Sequence, residues 1–408
     1  MKEKNKVFRL QGKVQHYAWG GHSFLPHLLS IPDPGNKPFA EYWMGAHDNA
    51  PSELVREGSA PVKLNEYIAA SPDDTLGAAV AGRFGRLPYL LKILDVKDML
   101  SIQVHPSKKN AEKEFAAENK KGTPLTAPDR NYKDDNHKPE LMLALSEFWL
   151  LHGFRPVEEL REILQATKEL QFLSPVFDQH GYQGLYKKVM EMEQSSVNTI
   201  LQPLLDRIIP AYQAHRLSKN QEDFWAARAA ITFNEPGRID RGIFSIYLFN
   251  LVNLHPGEAI FQDAGLPHAY LEGQNVEIMA NSDNVLRGGL TPKHIDVPEL
   301  LKHVTFDETH PRVIVGDKTS GHIGRFATPA PDFELSEIRL QKDDKVSILS
   351  RSVEIFIVLE GKVLVEEGAD NSFSRGSGES FLSFDHGKPS LWAEQDTVIY
   401  RASVPVGG

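Results

Sequence analysis

No cysteine occurs among the 408 residues. A disulfide framework, a thiolate metal site and a cysteine nucleophile are therefore excluded, and any metal must be held by imidazole, carboxylate or amide oxygen. Long apolar runs are also lacking. The longest starts at Phe244 and holds about 11 residues, two of them asparagine, against the roughly 20 that a membrane-spanning helix needs. Residues 1–20 mix Lys, Gln and Arg with isolated apolar side chains and carry no secretory leader pattern. There is no excess of cations: 45 Lys and Arg against 55 Asp and Glu give a net charge of −10, a poor match to a nucleic-acid backbone. No glycine-rich dinucleotide fingerprint, Walker loop, His-Glu-x-x-His or Gly-x-Ser-x-Gly is present, so nucleotide hydrolysis and serine hydrolysis have no footing. These absences predict a cytoplasmic, soluble chain with neither nucleic-acid nor membrane partners.

What is present is ordinary globular composition, 41% apolar and 25% charged, in a chain long enough for two or three domains. Residues 1–150 read mainly as short strands. Leu87-Pro88-Tyr89-Leu90-Leu91-Lys92-Ile93-Leu94, residues 99–106 and Pro139-Glu140-Leu141-Met142-Leu143-Ala144-Leu145 are apolar runs of strand length. Between the last two the spacing predicts a helix over 107–118, then a polar loop over 120–138 of the length that usually carries function. Val157, Leu160, Ile163 and Leu164 recur at helical spacing, as do Val197, Ile200, Leu201, Leu204, Leu205 and Ile208, which makes 151–235 a helical block with a break near Pro203. Strand pattern returns at Phe244-Ser245-Ile246-Tyr247-Leu248-Phe249, and a last strand-rich block fills 333–402. Pro256-Gly257-Glu258-Ala259-Ile260-Phe261 and Ser377-Gly378-Glu379-Ser380-Phe381-Leu382 form a weak repeat, each with a Gly-Glu turn ahead of a buried strand. The simplest architecture is two copies of one all-β unit, barrel or jelly roll, with a helical insertion.

Gln103 and His105 stand two apart on a predicted strand, so both side chains leave the same face about 6.6 Å apart. Glu140 opens another strand, and His268 follows the glycine turn of Asp263-Ala264-Gly265-Leu266-Pro267. Two imidazoles, a carboxylate and an amide make a site for zinc or another divalent ion that accepts nitrogen and oxygen. Among 16 histidines any one alone is weak evidence; the combination at strand edges of one β-rich region carries the reading. Glu277, Asp283, Arg287 and Lys293 follow His268 closely and bring acids, a guanidinium and an ammonium near the same point. Arg suits a phosphate or carboxylate; a turn-stabilising ion-pair network is the competing explanation.

Several ordered segments make the reading specific. They are Tyr17-Ala18-Trp19-Gly20, Ala40-Glu41-Tyr42-Trp43-Met44-Gly45-Ala46-His47, Leu100-Ser101-Ile102-Gln103-Val104-His105-Pro106, Asn131-Tyr132-Lys133-Asp134-Asp135-Asn136-His137-Lys138-Pro139-Glu140, Pro267-His268-Ala269-Tyr270-Leu271 and Ser282-Asp283-Asn284-Val285-Leu286-Arg287-Gly288-Gly289-Leu290-Thr291-Pro292-Lys293. The chain resembles the type I mannose-6-phosphate isomerases of the cupin superfamily. The resemblance implies a mainly β fold of two cupin (jelly-roll β-barrel) units plus an α-helical domain. The units are 1–150 with 236–330 as the zinc-binding catalytic cupin, 151–235 as the helical insert and 331–408 as a metal-free cupin-like unit. It implies one Zn2+ per chain on Gln103, His105, Glu140 and His268. Arg287, Glu277 and Lys138 would be catalytic, with Glu277 the first choice of base and Lys138 the second. Trp19, Tyr270 and Asp283 would line the pocket, and Lys92, Ser101 and Lys293 would contact the phosphate.

The implied activity is aldose–ketose isomerisation of mannose 6-phosphate and fructose 6-phosphate by a monomer, serving GDP-mannose supply. Residues 47–51, His-Asp-Asn-Ala-Pro, and Tyr42 depart from the family pattern, outside the metal set. A cupin dioxygenase or a non-catalytic sugar-phosphate-binding protein are the alternatives. Oxygen consumption and an isomerase assay separate them.

Overall fold

In a computed structural model that describes residues 5–56 and 58–405, apart from the side chains of 318–320, strands dominate both ends of the chain and helices fill its middle. The first four residues of the leader reading and the last three of the C-terminal unit lie outside the described residues.

Strand Tyr89–Val96 is the spine of the first β-unit and is buried along its whole length. Glu41–Gly45 pairs on one side of it and the long strand His268–Ala280 on the other. Register slips in the long strand between Tyr270 and Glu272. On one side of the slip it pairs with Tyr89–Val96 and Glu140–Ala144; on the other it pairs with Phe148–Phe154 and, at His268, with Gln103. A slip of this kind bends a strand and re-aims its side chains. The two halves of the sheet thereby face each other, and Leu94, Met142 and Ile260 meet Leu150, Val252, Leu254 and Tyr270 in one apolar cluster.

The second β-unit packs a nine-stranded sheet on a four-stranded one. Ile338, Phe356, Phe381 and Ile399 from the first meet Val363, Val365, Leu391 and Ala393 from the second. The outward residues of the spine, Tyr89, Leu91 and Ile93, join Ile355, Ile357 and Leu382 and glue the two units together. Each such fully buried side chain contributes roughly 1.5–3 kcal/mol. The Tyr89 hydroxyl lies 3.1 Å from the carbonyl oxygens of both Val353 and Ala402. The predicted repeat is visible as Gly257 and Gly378, with φ of +88° and +79°, each leading into a strand, Glu258–Gln262 and Ser380–Ser383. A left-handed turn favours glycine at both places.

Four differences from the sequence reading have physical causes. Residues 1–150 hold, besides the expected helix at Lys108–Lys121, four further helices that the strand reading does not contain, Phe24–Leu28, Leu64–Ala70, Pro72–Leu76 and Ala78–Phe84. Strand Val7–Gln11 pairs with Ser380–Ser383 and so belongs to the C-terminal sheet, because its Leu10 and Phe8 find their apolar partners there. Gly242–Leu248 is a helix, not a strand, and all seven residues are buried; an apolar run covered on all sides has no periodicity to read. Helix Gln194–Gln213 runs straight through Pro203 and Pro210, held by the buried stripe Val197, Leu201, Leu204, Leu205 and Ile208. We propose that the chain divides into these three units, with strands Val7–Gln11, Glu53–Val55 and Val62–Lys63 given to the C-terminal sheet.

Candidate metal centre

The helix Lys108–Lys121, capped by the Ser107 side chain, leads into the 120–138 loop as expected. That loop is fastened to the segment after the long strand by Asp134, which accepts from Ser282 Oγ and Asp283 N at 2.7 Å each, by Asn136, and above all by Asn284. Asn284 Oδ1 accepts from Lys133 N at 2.7 Å, and its Nδ2 donates to the carbonyl oxygens of Asp134 and Asn136 at 2.8 and 2.9 Å. The backbone oxygen of Asn284 lies 2.8 Å from His105 Nδ1. Since a carbonyl only accepts, Nδ1 carries the hydrogen and Nε2 keeps its lone pair. His268 is set the same way, with Nδ1 2.9 Å from Leu266 O.

Both free imidazole nitrogens then face Glu140. His105 Nε2 is 3.5 Å from Oε1 and His268 Nε2 is 3.2 Å from Oε2. The ligand atoms of the three residues lie within 4.8 Å of one another. His105 Nε2 is buried with no hydrogen-bond partner. An orphaned lone pair beside a second one and a carboxylate fits a zinc ion on nitrogen and oxygen. A cavity of about 50 Å³ adjoins them, lined in part by Gln103, Lys138, Glu140, His268 and Glu277. Gln103 is the strand partner of His268. Burial, with Lys138 nearby, pushes the His105 imidazole down to about 4, so it is neutral at physiological pH, as a ligand must be. Burial alone would raise the Glu140 carboxyl, but the Lys138 ammonium outweighs it and holds it well below the usual range. Lys138 Nζ sits 2.8 Å from Glu140 Oε1.

Next to this group is a second buried set. Tyr270 donates to Glu277 Oε1 at 2.8 Å, and Lys92 donates to Oε2 at 3.0 Å. Lys92 also stands 3.5 Å from Glu41, whose other contact is the Trp43 indole N–H. Burial pushes the Glu277 carboxyl up, with Lys92 pulling only part of the way back. Burial likewise raises the Tyr270 hydroxyl well above its usual value.

A third set lies toward the surface. Arg287 is the strand partner of Gln103 and half-buried. It has no carboxylate partner among the described residues, and burial lowers its guanidinium. Lys293 is exposed and lowered by partial burial and by Arg287, so the two cations lie close enough to repel. Asp283 is not between them: it pairs with His47 at 3.2 Å and accepts from Asn49 at 3.0 Å. Trp19 is half-buried and stacked on Tyr17 at 5.9 Å, and it packs with Leu100 at the edge of the inner apolar cluster. Ser101 is half-buried just ahead of strand Ile102–Val104, outside the cavity lining.

His105, Glu140 and His268 are thus brought together, with Gln103, Glu277, Lys138, Lys92 and Tyr270 around one cavity. Arg287 and Lys293 form a neighbouring cationic pair. Three contributors escape sequence reading. Glu41 balances Lys92, and Asn284 aims His105. Asp240, just past the helical block, accepts N–H bonds from Gly242, Leu290 and Thr291 at 2.7, 2.9 and 3.1 Å. It thereby fixes the turn between Arg287 and Lys293, where Leu290 has a φ of +54°. Only Glu41 and Asn284 lay in the ordered segments quoted above; Asp240 gave no signal.

A family model described as phosphomannose isomerase type I, catalytic domain, matches residues 7–157. Mannose-6-phosphate isomerase of Salmonella typhimurium is 38% identical over 384 residues, 92% of this chain and 95% of that protein. The Homo sapiens protein of the same name is 35% identical over 435 residues, 97% of this chain and 98% of that one. A zinc-bound structure of mannose 6-phosphate isomerase superposes with a TM-score of 0.86 at 34% identity, covering 98% of this chain and all of that one. A single-residue variant of the Salmonella typhimurium phosphomannose isomerase gives 0.87 with the same coverage of this chain. The likeness spans both β-units and the helical block, and the chain belongs to the type I phosphomannose isomerase family.

Proposed function

We propose that the chain interconverts mannose 6-phosphate and fructose 6-phosphate, with one zinc ion held by Gln103, His105, Glu140 and His268. The observation that carries this is the convergence of two lone-pair imidazole nitrogens on Glu140. It stands beside a buried carboxylate, in a chain whose relatives bear the isomerase name. Bound zinc supplies a Lewis acid that stabilises negative charge developing on a sugar oxygen.

The protein's own groups divide the remaining work. Glu277 takes the proton from one of C1 and C2 and returns it to the other. Burial raises its affinity for that proton, and Tyr270 and Lys92 fix both of its oxygens. Arg287, with no carboxylate partner among the described residues, holds negative charge on the sugar oxygens as it forms. Lys138 keeps Glu140 anionic and is the second choice of base. Lys293 and Ser101 anchor the phosphate, with Trp19 and Asp283 as pocket wall. Lys92 is reassigned from the phosphate to Glu277, because its ammonium is already shared by two buried carboxylates. The reading is of a cytoplasmic monomer acting on a small sugar phosphate, and the net charge of −10 disfavours a nucleic-acid partner. Among the described residues no helix is long and apolar enough to cross a membrane.

The test is a coupled isomerase assay on the protein as purified, after chelation and after zinc is returned. Turnover of mannose 6-phosphate that is lost and then restored is expected. A zinc-loaded protein inert toward both sugar phosphates would remove the proposal.

A further inference from the structure

The second β-unit has a mouth of its own. Along strand Glu354–Glu360, Phe356 and Val358 fill the inner core, and Glu354, two residues earlier, lies on the same face. Along Thr397–Ser403, Ile399 is core and Arg401 continues its face; Ser336 is the strand partner of Arg401. The apolar filling therefore stops at Arg401, Glu354 and Ser336, and a cavity of about 730 Å³ opens there. Its charged lining is Arg83, Arg325, Arg351, Arg401, Glu334 and Glu354.

Arg401 is only 8% exposed, yet its guanidinium is poorly satisfied. One amino group donates to Ser336 Oγ at 3.3 Å, the other stands 3.9 Å from Glu354, and Nε is buried with no partner. A buried guanidinium with an unused N–H is costly unless an anion completes it. At the rim, Arg325 is 3.7 Å from Glu334 and largely exposed. Arg83 and Arg351 are exposed and have no carboxylate partner among the described residues. Four guanidiniums against two carboxylates leave an excess of two positive charges. A phosphomonoester dianion matches that excess and the guanidinium fork; a monocarboxylate does not. The volume exceeds that of inorganic phosphate and falls in the usual range for a small organic ligand, on the order of 300–1,000 Å³.

We propose that this mouth is a second, non-catalytic binding site for a small phosphorylated metabolite, its phosphoryl group held by Arg401, Arg351 and Arg325. Among the described residues it has no cluster of metal-binding side chains. It is separate from the zinc cavity, with no lining residue in common.

Equilibrium dialysis of the zinc-loaded full chain tests it, with inorganic phosphate as one probe and adenosine 5′-monophosphate as the other. Wild type should bind two equivalents of inorganic phosphate, and the Arg287→Ala/Lys293→Ala protein should keep one. Arg325→Ala/Arg351→Ala, which changes only exposed side chains, should weaken that remaining equivalent at least about tenfold, the value of one lost charge-assisted hydrogen bond. Its isomerase kcat and KM in phosphate-free buffer should match wild type. Arg401→Gln should abolish the equivalent if the variant folds. Tighter binding of the nucleotide than of phosphate would identify a site that also reads the organic body; equal binding, one that reads the phosphoryl group alone. Either result supports the proposal. It is overturned if the Arg287→Ala/Lys293→Ala protein binds no phosphate, or if Arg325→Ala/Arg351→Ala binds as wild type does.

Discussion

The two β-units share a plan, in which a glycine turn feeds a buried strand and two layers of strands face each other across an apolar core. They differ in what their inner faces carry where the apolar residues end. In the first unit the two lysines of the cavity have buried carboxylates, Lys92 with Glu41 and Glu277 and Lys138 with Glu140, while two imidazoles point lone pairs at one spot. In the second unit arginines outnumber carboxylates and no imidazole lines the cavity. Backbone plan alone therefore does not decide chemistry; a few inward positions do. The first unit gathers groups suited to hold a cation, the second groups suited to hold an anion.

The strongest way to break this contrast is His268→Ala. Zinc content and turnover should fall together, turnover by roughly 10³-fold or more, since the metal supplies several kcal/mol of charge stabilisation. Metal analysis beside the coupled assay checks it; full activity in a zinc-free variant would end the metal reading. Arg287→Ala should leave zinc in place and lower kcat by about 10²–10³-fold, the usual loss for a group that meets developing charge. If kcat is untouched, Arg287 is structural. Lys293→Ala should act on binding instead, raising KM about tenfold with little change in kcat, because the phosphate is remote from the bond changes. An unchanged KM would take Lys293 out of the phosphate site.

The smallest effect lies in the second unit. Burial pushes the Glu354 carboxyl from 4.5 up to about 7, with Arg401 and the Ser350 hydroxyl opposing and Glu334 adding to it. A folded-state value above the unfolded one means that the folded chain holds the proton longer. The stability this gives is complete below about 4.5 and is lost as pH rises through 7. Glu354→Gln should therefore stabilise the chain at pH 8 by on the order of 1–3 kcal/mol and have little effect at pH 4, with zinc content unchanged. Urea unfolding at the two pH values measures this. An equal difference at both would show that Glu354 is not the titrating group.

Much of the metal centre was legible because its chemistry is local. Gln103 and His105 share a strand face, Glu140 starts a strand, and His268 follows a glycine turn. The roles of neighbours were less legible because they depend on pairing across the sheet. Lys92 reads as a free cation until the spine is laid between Glu41–Gly45 and His268–Ala280, which places carboxylates on both sides of it. Asp240 could not be found, since its importance comes from a turn 50 residues away. In the fold, amphipathic helices showed their stripes plainly. The fully buried Gly242–Leu248 helix did not, and neither did the transfer of Val7–Gln11 to the distant sheet, because an apolar strand does not announce its partner.

That transfer also sets a schedule for synthesis. Leu10 meets Ser380 across 370 residues of chain. At roughly 5–20 residues per second, the ribosome needs on the order of 20–70 s to deliver the partner strand. Throughout that interval only one edge of the N-terminal strand can be paired, by Glu53–Val55, and the edge that awaits Ser380–Ser383 stays open. The nascent chain is then most exposed to wrong pairing with its neighbours on a polysome, and most in need of a chaperone.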